Sequence, residues 1–187
     1  MNAGFTDPVA DSQAVFRAVL DAMSRPGTMH EVNAPAAPPV PLHRATAAVL
    51  LTLADADTPL WLDPAVEAAR DWAVFHCGAL LAGPGDAAIA VALGPVALDG
   101  FGAGTDEQPE AGATVVLQVA ALGQGQALVL SGPGLLHPAA LRVDGLPAGF
   151  AAAWARNAAL FPRGVDVVLC AGDRLAALPR TVSVREG

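Results

Sequence analysis

The sequence of 187 residues carries a formal net charge of −8 at pH 7, and 53% of its residues are hydrophobic while 15% are charged. A chain so apolar and so poor in charge is not expected to be disordered, and its negative charge argues against non-specific binding to nucleic acid or to anionic membranes. All 10 basic residues are arginines. Because lysine is absent, the chain cannot by itself build a Schiff-base active site or a P-loop.

The two cysteines and the N-terminus indicate a compartment. Cys77 and Cys170 belong to no CxxC pair, so we expect two reduced, buried thiols rather than a disulfide or a metal site. The N-terminus MNAGFTDPVADS has neither the basic nor the apolar region of a signal peptide. No apolar run reaches the ~18 residues of a membrane span. The sequence therefore predicts a cytoplasmic protein with no membrane partner, folded as a single domain over residues 1–187.

The first half of the chain is predicted to be mainly helical. An extended lead-in over residues 1–10 precedes a helix that Asp11 or Ser12 caps and that Pro26 and Gly27 end. The buried face of this helix is expected to hold Phe16, Val19, Leu20 and Met23. Then follow an irregular proline-rich segment over 28–41, a buried helix over 42–54, a short strand over 60–62 and a helix capped by Asp63 that ends near Val74.

The second half is predicted to be mainly strand. Short apolar runs indicate strands over 75–82 and 87–93, an antiparallel hairpin made of 114–119 and 127–131, and a strand over 141–143, with a glycine-rich acidic loop over 97–110. A helix over 147–157 places Phe150 and Trp154 on one face. A helical turn near Leu175 and a strand over 182–184 end the chain. Helices that alternate with strands of mixed direction predict an α/β fold, a three-layer sandwich with a mixed sheet.

The stretch LFPRGVDVVLCAGDRLAALPRT, residues 160–181, is the most informative about architecture. Pro162 and Gly164 end the preceding helix, and the apolar, β-branched run over 165–170 is typical of a strand buried on both faces of an α/β sheet. Asp166 is the one charge inside this run. Because burying a carboxylate unpaired costs several kcal/mol, we expect Asp166 to have a structural role, paired with Arg163 or Arg180.

Six residues are candidates for binding a substrate or another anion: Arg25, Ser131, Gly132, Gly134, Arg163 and Arg180. The glycines of the turn SGPG could bring backbone N–H groups to an anion, and its serine could donate a hydrogen bond; the alternative is an ordinary tight turn. The arginines stand beside proline or glycine at element ends, where they could bind phosphate or carboxylate bidentately. The alternative is that they pair with carboxylates of the chain itself.

The remaining polar candidates point to structure rather than catalysis. His76 lies inside FHCG and is expected to be a structural histidine bonded to backbone or to a carboxylate; the alternative is a general base or ligand. It has no second His or Glu at ligand spacing, so no metal site is predicted. Asp55 and Asp57 could form a carboxylate pair, but their sequence context favours a turn. No constellation has the form of a catalytic motif, so we predict no catalytic residue and no cofactor.

Seven stretches, taken in order, resemble one family: FTDPVADSQAVFRAVLDAMSRPG, LTLADADTPLW, FHCGA, GTDEQPEAGATVVLQV, SGPG, LFPRGVDVVL and LPRT. They are similar to PhnH, a subunit of the bacterial carbon–phosphorus lyase core complex, over nearly the whole chain. The resemblance implies a role in using phosphonates as a source of phosphorus. In that role the complex displaces adenine from ATP with an alkylphosphonate, and a separate iron–sulfur subunit later cleaves the carbon–phosphorus bond.

The resemblance also implies partners and a fold. It implies a homodimer in isolation, the other core-complex subunits as partners, and a fold similar to pyridoxal-phosphate-dependent transferases without a working active site. The absence of lysine agrees with that description, since no internal aldimine could form. Two hypotheses stay open: an assembly subunit without a complete active site of its own, or a stand-alone phosphonate- or nucleotide-binding enzyme that uses Arg25, Arg163 and the Ser131 turn.

Overall fold

The computed structural model describes residues 2–32 and 37–187. The helices are α1 (Pro8–Ser24), α2 (Arg44–Leu53), α3 (Arg70–Cys77) and α4 (Phe150–Ala158). The strands are β1 (His30–Glu31), β2 (Leu60–Leu62), β3 (Ile89–Leu93), β4 (Thr114–Gln118), β5 (Ala121–Ser131), β6 (Ala139–Asp144), β7 (Asp166–Ala171), β8 (Arg174–Leu178) and β9 (Ser183–Glu186). Short 3₁₀ helices lie at Pro64–Ala69, Pro84–Asp86, Leu98–Gly100 and Pro109–Ala111.

The strands form two sheets. A six-stranded sheet has the order β1-β8-β7-β4-β3-β2, and a three-stranded sheet has the order β6-β5-β9. In the larger sheet β2, β3, β4 and β7 run parallel, whereas β8 is antiparallel to both β7 and β1. The smaller sheet is antiparallel throughout its pairs. The predicted α/β class with a mixed sheet is therefore confirmed.

The six-stranded sheet is covered on both faces, and alternate residues of each strand serve two separate cores. In β4, Val116 belongs to the core under α1, α2 and α3, while Val115 and Leu117 belong to the core under α4 and the three-stranded sheet. This alternation follows from the two-residue period of a strand. The central strands are apolar on both faces for this reason, as the run over 165–170 predicted. The six-stranded mixed sheet is the middle layer. Helices α1, α2 and α3 pack on one of its faces, and α4 with the three-stranded sheet packs on the other.

The beginning of α1 differs from the prediction. Asp7 accepts hydrogen bonds from the N–H groups of Val9 and Ala10, at 3.2 and 3.1 Å, and Pro8 occupies the first helical turn. Proline is favoured there because its missing N–H would have had no partner in the helix. The predicted lead-in is therefore three residues too long, since the helix begins at Pro8, and the cap predicted at Asp11 or Ser12 is wrong: Asp7 is the cap and Pro8 the first helical residue.

The buried face of α1 is also rotated from the predicted one. The side chains under the helix are those of Val15, Val19 and Ala22. Phe16 and Leu20, which were expected in the core, are 47% and 51% exposed. The sequence pattern did not distinguish the two faces because apolar residues occupy both.

Four predictions about strands and the segments between them are wrong. Residues 75–77 complete α3, which Gly78 ends in a left-handed conformation with φ 67°, so 75–82 is not a strand. The expected hairpin is divided, since β4 joins the six-stranded sheet and β5 the other sheet. The helical turn near Leu175 is strand β8, and β1 lies in the segment expected to be irregular. Pro35, one of the prolines of that segment, lies outside the described residues.

The other predicted elements are confirmed to within a few residues, with one change of type. Asp63 does accept a hydrogen bond from the N–H of Ala65 at 2.9 Å, but the helix that it caps is the 3₁₀ segment that leads into α3. The acidic loop over 97–110 contains two short 3₁₀ turns. Among the described helices, none combines the length and the apolar character that crossing a membrane requires.

Trp154 attaches α4 to the second core. Its side chain is fully buried, its ring stacks on Phe150, and its indole N–H donates to the backbone oxygen of Val182 at 2.8 Å. The residue therefore combines a large buried apolar area with a satisfied polar atom.

We predict that Trp154→Ala lowers the free energy of unfolding by about 3–5 kcal/mol, because it leaves a large cavity and an unpaired carbonyl. Trp154→Phe should cost less, since it keeps most of the volume. Urea unfolding followed by circular dichroism measures both losses. Equal losses for the two variants would contradict the assignment of the larger part to cavity formation.

Candidate functional site

Asp166 and Arg180 form a mostly buried ion pair where β7 begins. The guanidinium Nε lies 3.2 and 3.1 Å from the two carboxylate oxygens, and the backbone N–H of Arg180 donates to Oδ1 at 2.7 Å. Their side chains are only 13% and 20% exposed, Arg180 being the less exposed. Of the two arginines expected near Asp166, Arg180 is thus its partner. The pair lies at the amino end of the parallel strands, since Asp166 is in register with Thr114, the first residue of β4.

Arg180 also binds the acidic loop that precedes β4. Its Nη1 donates to the carbonyl oxygen of Pro109. Gly112 allows this contact, because a Cβ there would collide with the carbonyl oxygen of Gly164 and would lie 2.7 Å from Nη1 of Arg180. The Nε, Nη1 and Nη2 atoms of Arg180 therefore all donate to groups of the chain itself. This is the geometry of a structural clamp.

Arg163 makes a weaker contact with the same loop. Its Nε lies 3.1 Å from Oδ1 of Asp106, and the two side chains are 41% and 74% exposed. The distance is that of an ion pair, but the N–H is not directed at the carboxylate, so the contact is electrostatic without a hydrogen bond. An exposed pair of this kind contributes about 0–1 kcal/mol.

Arg25 and the SGPG turn lie together at the end of α1. Ser131 pairs with Ser183 in the three-stranded sheet, and Gly132 accepts a hydrogen bond from the N–H of Leu135 at 3.1 Å, which closes a tight turn. Gly134 has φ 83°, and a Cβ there would collide with the carbonyl oxygen of Ser24. The turn therefore packs on the last residues of the helix.

The six candidates consequently do not form one site. Arg25 pairs with Asp21 across one helical turn, at 3.0 Å, and both side chains are more than half exposed. Arg163 and Arg180 lie instead against the acidic loop. The backbone of Gly132 approaches the segment that follows Arg180, since a Cβ at Gly132 would lie 3.1 Å from the carbonyl oxygen of Thr181.

His76 fastens the N-terminal segment to α3. Its Nε2 lies 3.0 Å from the carbonyl oxygen of Asn2, which also accepts a hydrogen bond from the indole N–H of Trp72 at 3.0 Å. The half-buried imidazole therefore contacts backbone, although it lies on a helix rather than in a strand. In the described part of the chain, no three His, Cys, Asp or Glu side chains are grouped so that they could hold a metal ion.

A cavity of about 190 Å³ lies between α4 and the Leu98–Gly100 turn. Its walls include Leu98, Phe101, Leu160 and Val165, with Asp99 and Arg156 among the polar residues. The buried amide of Asn157 borders it, but that amide donates to the carbonyl of Val165 at 2.9 Å and accepts from its N–H at 2.8 Å. The amide in the wall thus holds backbone and is not directed at a ligand.

A polar cluster that sequence reasoning missed lies at the opposite, carboxyl end of the parallel strands. Gln118, the last residue of β4, accepts hydrogen bonds at Oε1 from the N–H of His43 at 2.7 Å and from the hydroxyl of Thr46 at 2.8 Å. Its Nε2 donates to the carbonyl of Pro41 at 3.0 Å. The signal in the sequence was a single amide at the end of the apolar run TVVLQV, and its partners are more than seventy residues away.

His43 completes this cluster, and its surroundings favour the neutral imidazole. Its Nδ1 accepts a hydrogen bond from the N–H of Gly172 at 3.2 Å, and the carbonyl of Gly172 accepts from the N–H of Ala45 at 2.9 Å. Burial lowers the pKa of His43 below its ordinary value. The carboxyl end of parallel strands is where α/β proteins usually bind ligands. In this chain, Gln118 and Gly172 lie at that end and form hydrogen bonds with residues 43–46 at the beginning of α2.

The surroundings of the two thiols favour the protonated form. Both are free and buried. Burial raises the pKa of Cys77 to about 11, and burial likewise raises the pKa of Cys170 well above its ordinary value. Since the thiolate is the reactive form, neither cysteine reacts readily at neutral pH.

The carboxyl of Asp55 accepts a hydrogen bond from the hydroxyl of Thr58 at 2.6 Å within its own turn, and this bond lowers the pKa of Asp55.

The comparison with known proteins decides what kind of chain this is. The family model described as "Bacterial phosphonate metabolism protein (PhnH)" matches residues 3–185. The chain belongs to the PhnH family. A curated member of the PhnH family, the alpha-D-ribose 1-methylphosphonate 5-triphosphate synthase subunit PhnH of Rhizobium meliloti (strain 1021), is 41% identical over 189 residues, which cover 98% of this chain and 94% of the relative.

A second relative matches part of the chain. The putative C-P lyase subunit protein HtxG of Stutzerimonas stutzeri is 43% identical over 84 residues, which cover 43% of this chain and 42% of the relative. Both relatives carry the word subunit in their names. The resemblance to PhnH that the seven stretches suggested is therefore confirmed, and the chain is a subunit-type protein of phosphonate catabolism.

We predict that Arg180→Ala lowers the free energy of unfolding by about 3 kcal/mol or more, because it leaves the Asp166 carboxylate mostly buried and unpaired. Arg163→Ala is the matched control and should cost less than about 1 kcal/mol, since its ion pair is exposed. Urea unfolding of the two variants measures the difference. The double variant Asp166→Asn, Arg180→Ala should recover part of the loss; no recovery would contradict the pairing.

We predict that neutral His43 stabilises the fold and that acid removes this contribution. Because its folded pKa lies below the unfolded value of about 6.5, the unfolded state binds the proton more tightly, and stability falls as pH decreases through that value. Protonation also removes the acceptor for the N–H of Gly172. His43→Gln should lose less stability than the unsubstituted chain between pH 7.5 and 5.5. An imidazole titration midpoint above the ordinary value, measured by NMR, would contradict this.

Proposed function

We propose that this PhnH-family chain is a subunit of an assembly that makes alpha-D-ribose 1-methylphosphonate 5-triphosphate from ATP and methylphosphonate. The observation that carries the proposal is the similarity, along almost the full length of both chains, to a synthase subunit with that product in its name. In this proposal the chain contributes surface and shape to the assembly. It has no complete active site of its own.

The paired state of the polar side chains supports a non-catalytic role. Arg180 is hydrogen-bonded to Asp166 and Pro109. Gln118 is hydrogen-bonded to Pro41, His43 and Thr46. Both cysteines are buried thiols. A reacting centre needs a nucleophile, a base or a charge that is directed at a substrate. Arg180, Gln118 and His43 instead hold the chain's own loops and helix ends.

We extend the proposal to the state of the protein in the cell. We propose a cytoplasmic, single-domain chain that forms a homodimer when isolated and binds the other carbon–phosphorus lyase subunits. We also propose that its fold is similar to that of pyridoxal-phosphate-dependent transferases and has lost the cofactor. Both cores share one central sheet, which supports a single domain. The absence of lysine supports the loss of the cofactor.

The alternative is a stand-alone phosphonate- or nucleotide-binding enzyme that uses Arg25, Arg163 and the turn at Ser131. The separation of Arg25 from Arg163, and the ion pair that each of them makes, argues against it. Calorimetry of the isolated chain with ATP and with methylphosphonate tests it. Micromolar binding that is lost in both Arg25→Ala and Arg163→Ala would favour the alternative over the subunit role.

We predict that the tagged chain, produced in its own host under phosphate starvation, purifies with other subunits of the carbon–phosphorus lyase system. Mass spectrometry of the purified material identifies the partners, and the untagged strain is the control. The purified chain alone should not consume ATP or methylphosphonate. Isolation without lyase subunits, together with turnover by the lone chain, would contradict the proposed function.

A further inference from the structure

A short extended segment, residues 79–82, lies at one edge of the six-stranded sheet and is called the edge segment below. Leu81 forms a parallel bridge with Leu60 of β2. The N–H of Leu60 donates to the carbonyl oxygen of Leu80 at 2.8 Å, and the N–H of Ala82 donates to the carbonyl oxygen of Leu60 at 2.9 Å. The edge segment therefore continues the sheet beyond β2.

The backbone of Leu81 is directed away from the sheet. Since Leu80 and Ala82 bond to β2, the N–H and C=O of the residue between them point to the other side, as in any strand pair. Within the described chain, neither group of Leu81 takes part in a backbone hydrogen bond. Gly83 continues in an extended conformation, with φ −70° and ψ 161°. An open edge of this kind is a template for a further strand.

The side chains beside this open edge are apolar and exposed. Phe75, Leu80 and Leu81 are 67%, 71% and 38% exposed, and together with Val74 they line a shallow groove between α3 and the edge segment. The edge segment reads ALLA and holds neither a charge nor a proline, the two residue types that often protect an exposed edge. Apolar contacts beside free backbone groups are what strand addition to a sheet uses.

The charges around the groove argue against a second copy as its occupant. Asp71 lines the groove and is exposed. Arg70 also lines it, but Arg70 is paired with Glu67 at 3.3 Å. Two carboxylates therefore stand against one guanidinium, on a chain whose net charge is −8. Two copies that met at this edge would bring like charges together, which is unfavourable. An occupant that carries a basic side chain fits better.

We propose that the edge segment and its groove bind an extended segment of a different subunit of the carbon–phosphorus lyase system. The backbone of the bound segment pairs with the N–H and C=O of Leu81, its apolar side chains contact Phe75 and Leu80, and a basic side chain lies near Asp71. The inference rests on the proposed subunit role, which the names of both relatives support. It assigns to that role a surface and a binding mode.

Hydrogen exchange at the Leu81 amide tests the strand pairing. The isolated chain is compared with the lyase assembly purified from its own host through a tag on another subunit, by mass spectrometry with residue-level fragmentation. Exchange at Leu81 should be at least about 10-fold slower in the assembly, because its N–H gains a hydrogen-bonding partner. The amide of Leu60, which is already bonded within the sheet, is the internal control and should be protected in both samples.

A proline at position 81 provides an independent test. Leu81→Pro removes the outward N–H, and proline is tolerated where a strand's N–H faces solvent. The tagged variant should retain about 10-fold less of the other lyase subunits than the unsubstituted chain, whereas Leu81→Ala, which keeps the N–H, should lose less. Leu136→Glu is the control for an exposed apolar side chain elsewhere, since Leu136 is 92% exposed, and should lose nothing.

A second variant keeps the test decisive if Leu81→Pro does not fold, which circular dichroism of the isolated variant detects. Leu80→Glu leaves the backbone intact and places a charge in the apolar groove. Because Leu80 is 71% exposed, this variant should fold, and it should show the same loss of lyase subunits, about 10-fold, as expected for a disrupted apolar anchor.

The outcomes separate the inference from the proposed function. An unsubstituted chain that purifies without lyase subunits overturns the subunit role and the inference together. Full retention of those subunits by Leu80→Glu and by folded Leu81→Pro overturns the inference alone. Slowed exchange at Leu81 that grows with the concentration of the isolated chain means that a second copy occupies the edge, which also overturns it. Loss of subunits in Leu80→Glu with unchanged exchange at Leu81 rules out strand pairing.

Discussion

The buried pair of Asp166 and Arg180 is the interaction on which the amino edge of the central sheet depends. A carboxylate at the start of a strand buried on both faces must have a partner, because an unpaired charge there would cost more than most single contacts contribute. Arg180 meets that requirement from the far end of the β7–β8 hairpin, and it also holds the loop before β4 through Pro109. One side chain thus joins segments that are distant in sequence.

The other polar groups inside the molecule follow the same pattern. Gln118 joins the end of β4 to the beginning of α2, and Asn157 joins α4 to the residue before β7. Each amide satisfies backbone or hydroxyl groups that would otherwise be buried without a partner. The interior polar residues described here therefore position the segments around the sheet. This use of polar side chains agrees with a subunit whose contribution is shape.

Helix α1 gives one face to the core and leaves apolar side chains on another face exposed. The fold needs Val15, Val19 and Ala22 of the helix, and it leaves Phe16 and Leu20 in contact with solvent. Phe16 and Leu20 thus lie outside the buried core of the described chain. Membership of the PhnH family, whose relatives are named as subunits, is consistent with a chain that acts through contacts with other chains.

Local chemistry was readable from the sequence by itself. Proline, glycine and apolar period placed α2, β2, β3, β7 and α4 near their observed positions, because these signals act over a few residues. Lysine's absence excluded aldimine chemistry, and the lone carboxylate of Asp166 required an ion pair. Only the tertiary structure decided which partner each group has. Asp166 pairs with Arg180 rather than with Arg163, Gln118 bonds to the beginning of α2, and β4 pairs with β7 rather than with β5. Strand pairing and the choice between the two apolar faces of α1 depend on contacts between residues far apart in the chain, and such contacts leave no periodic trace in the segments that make them.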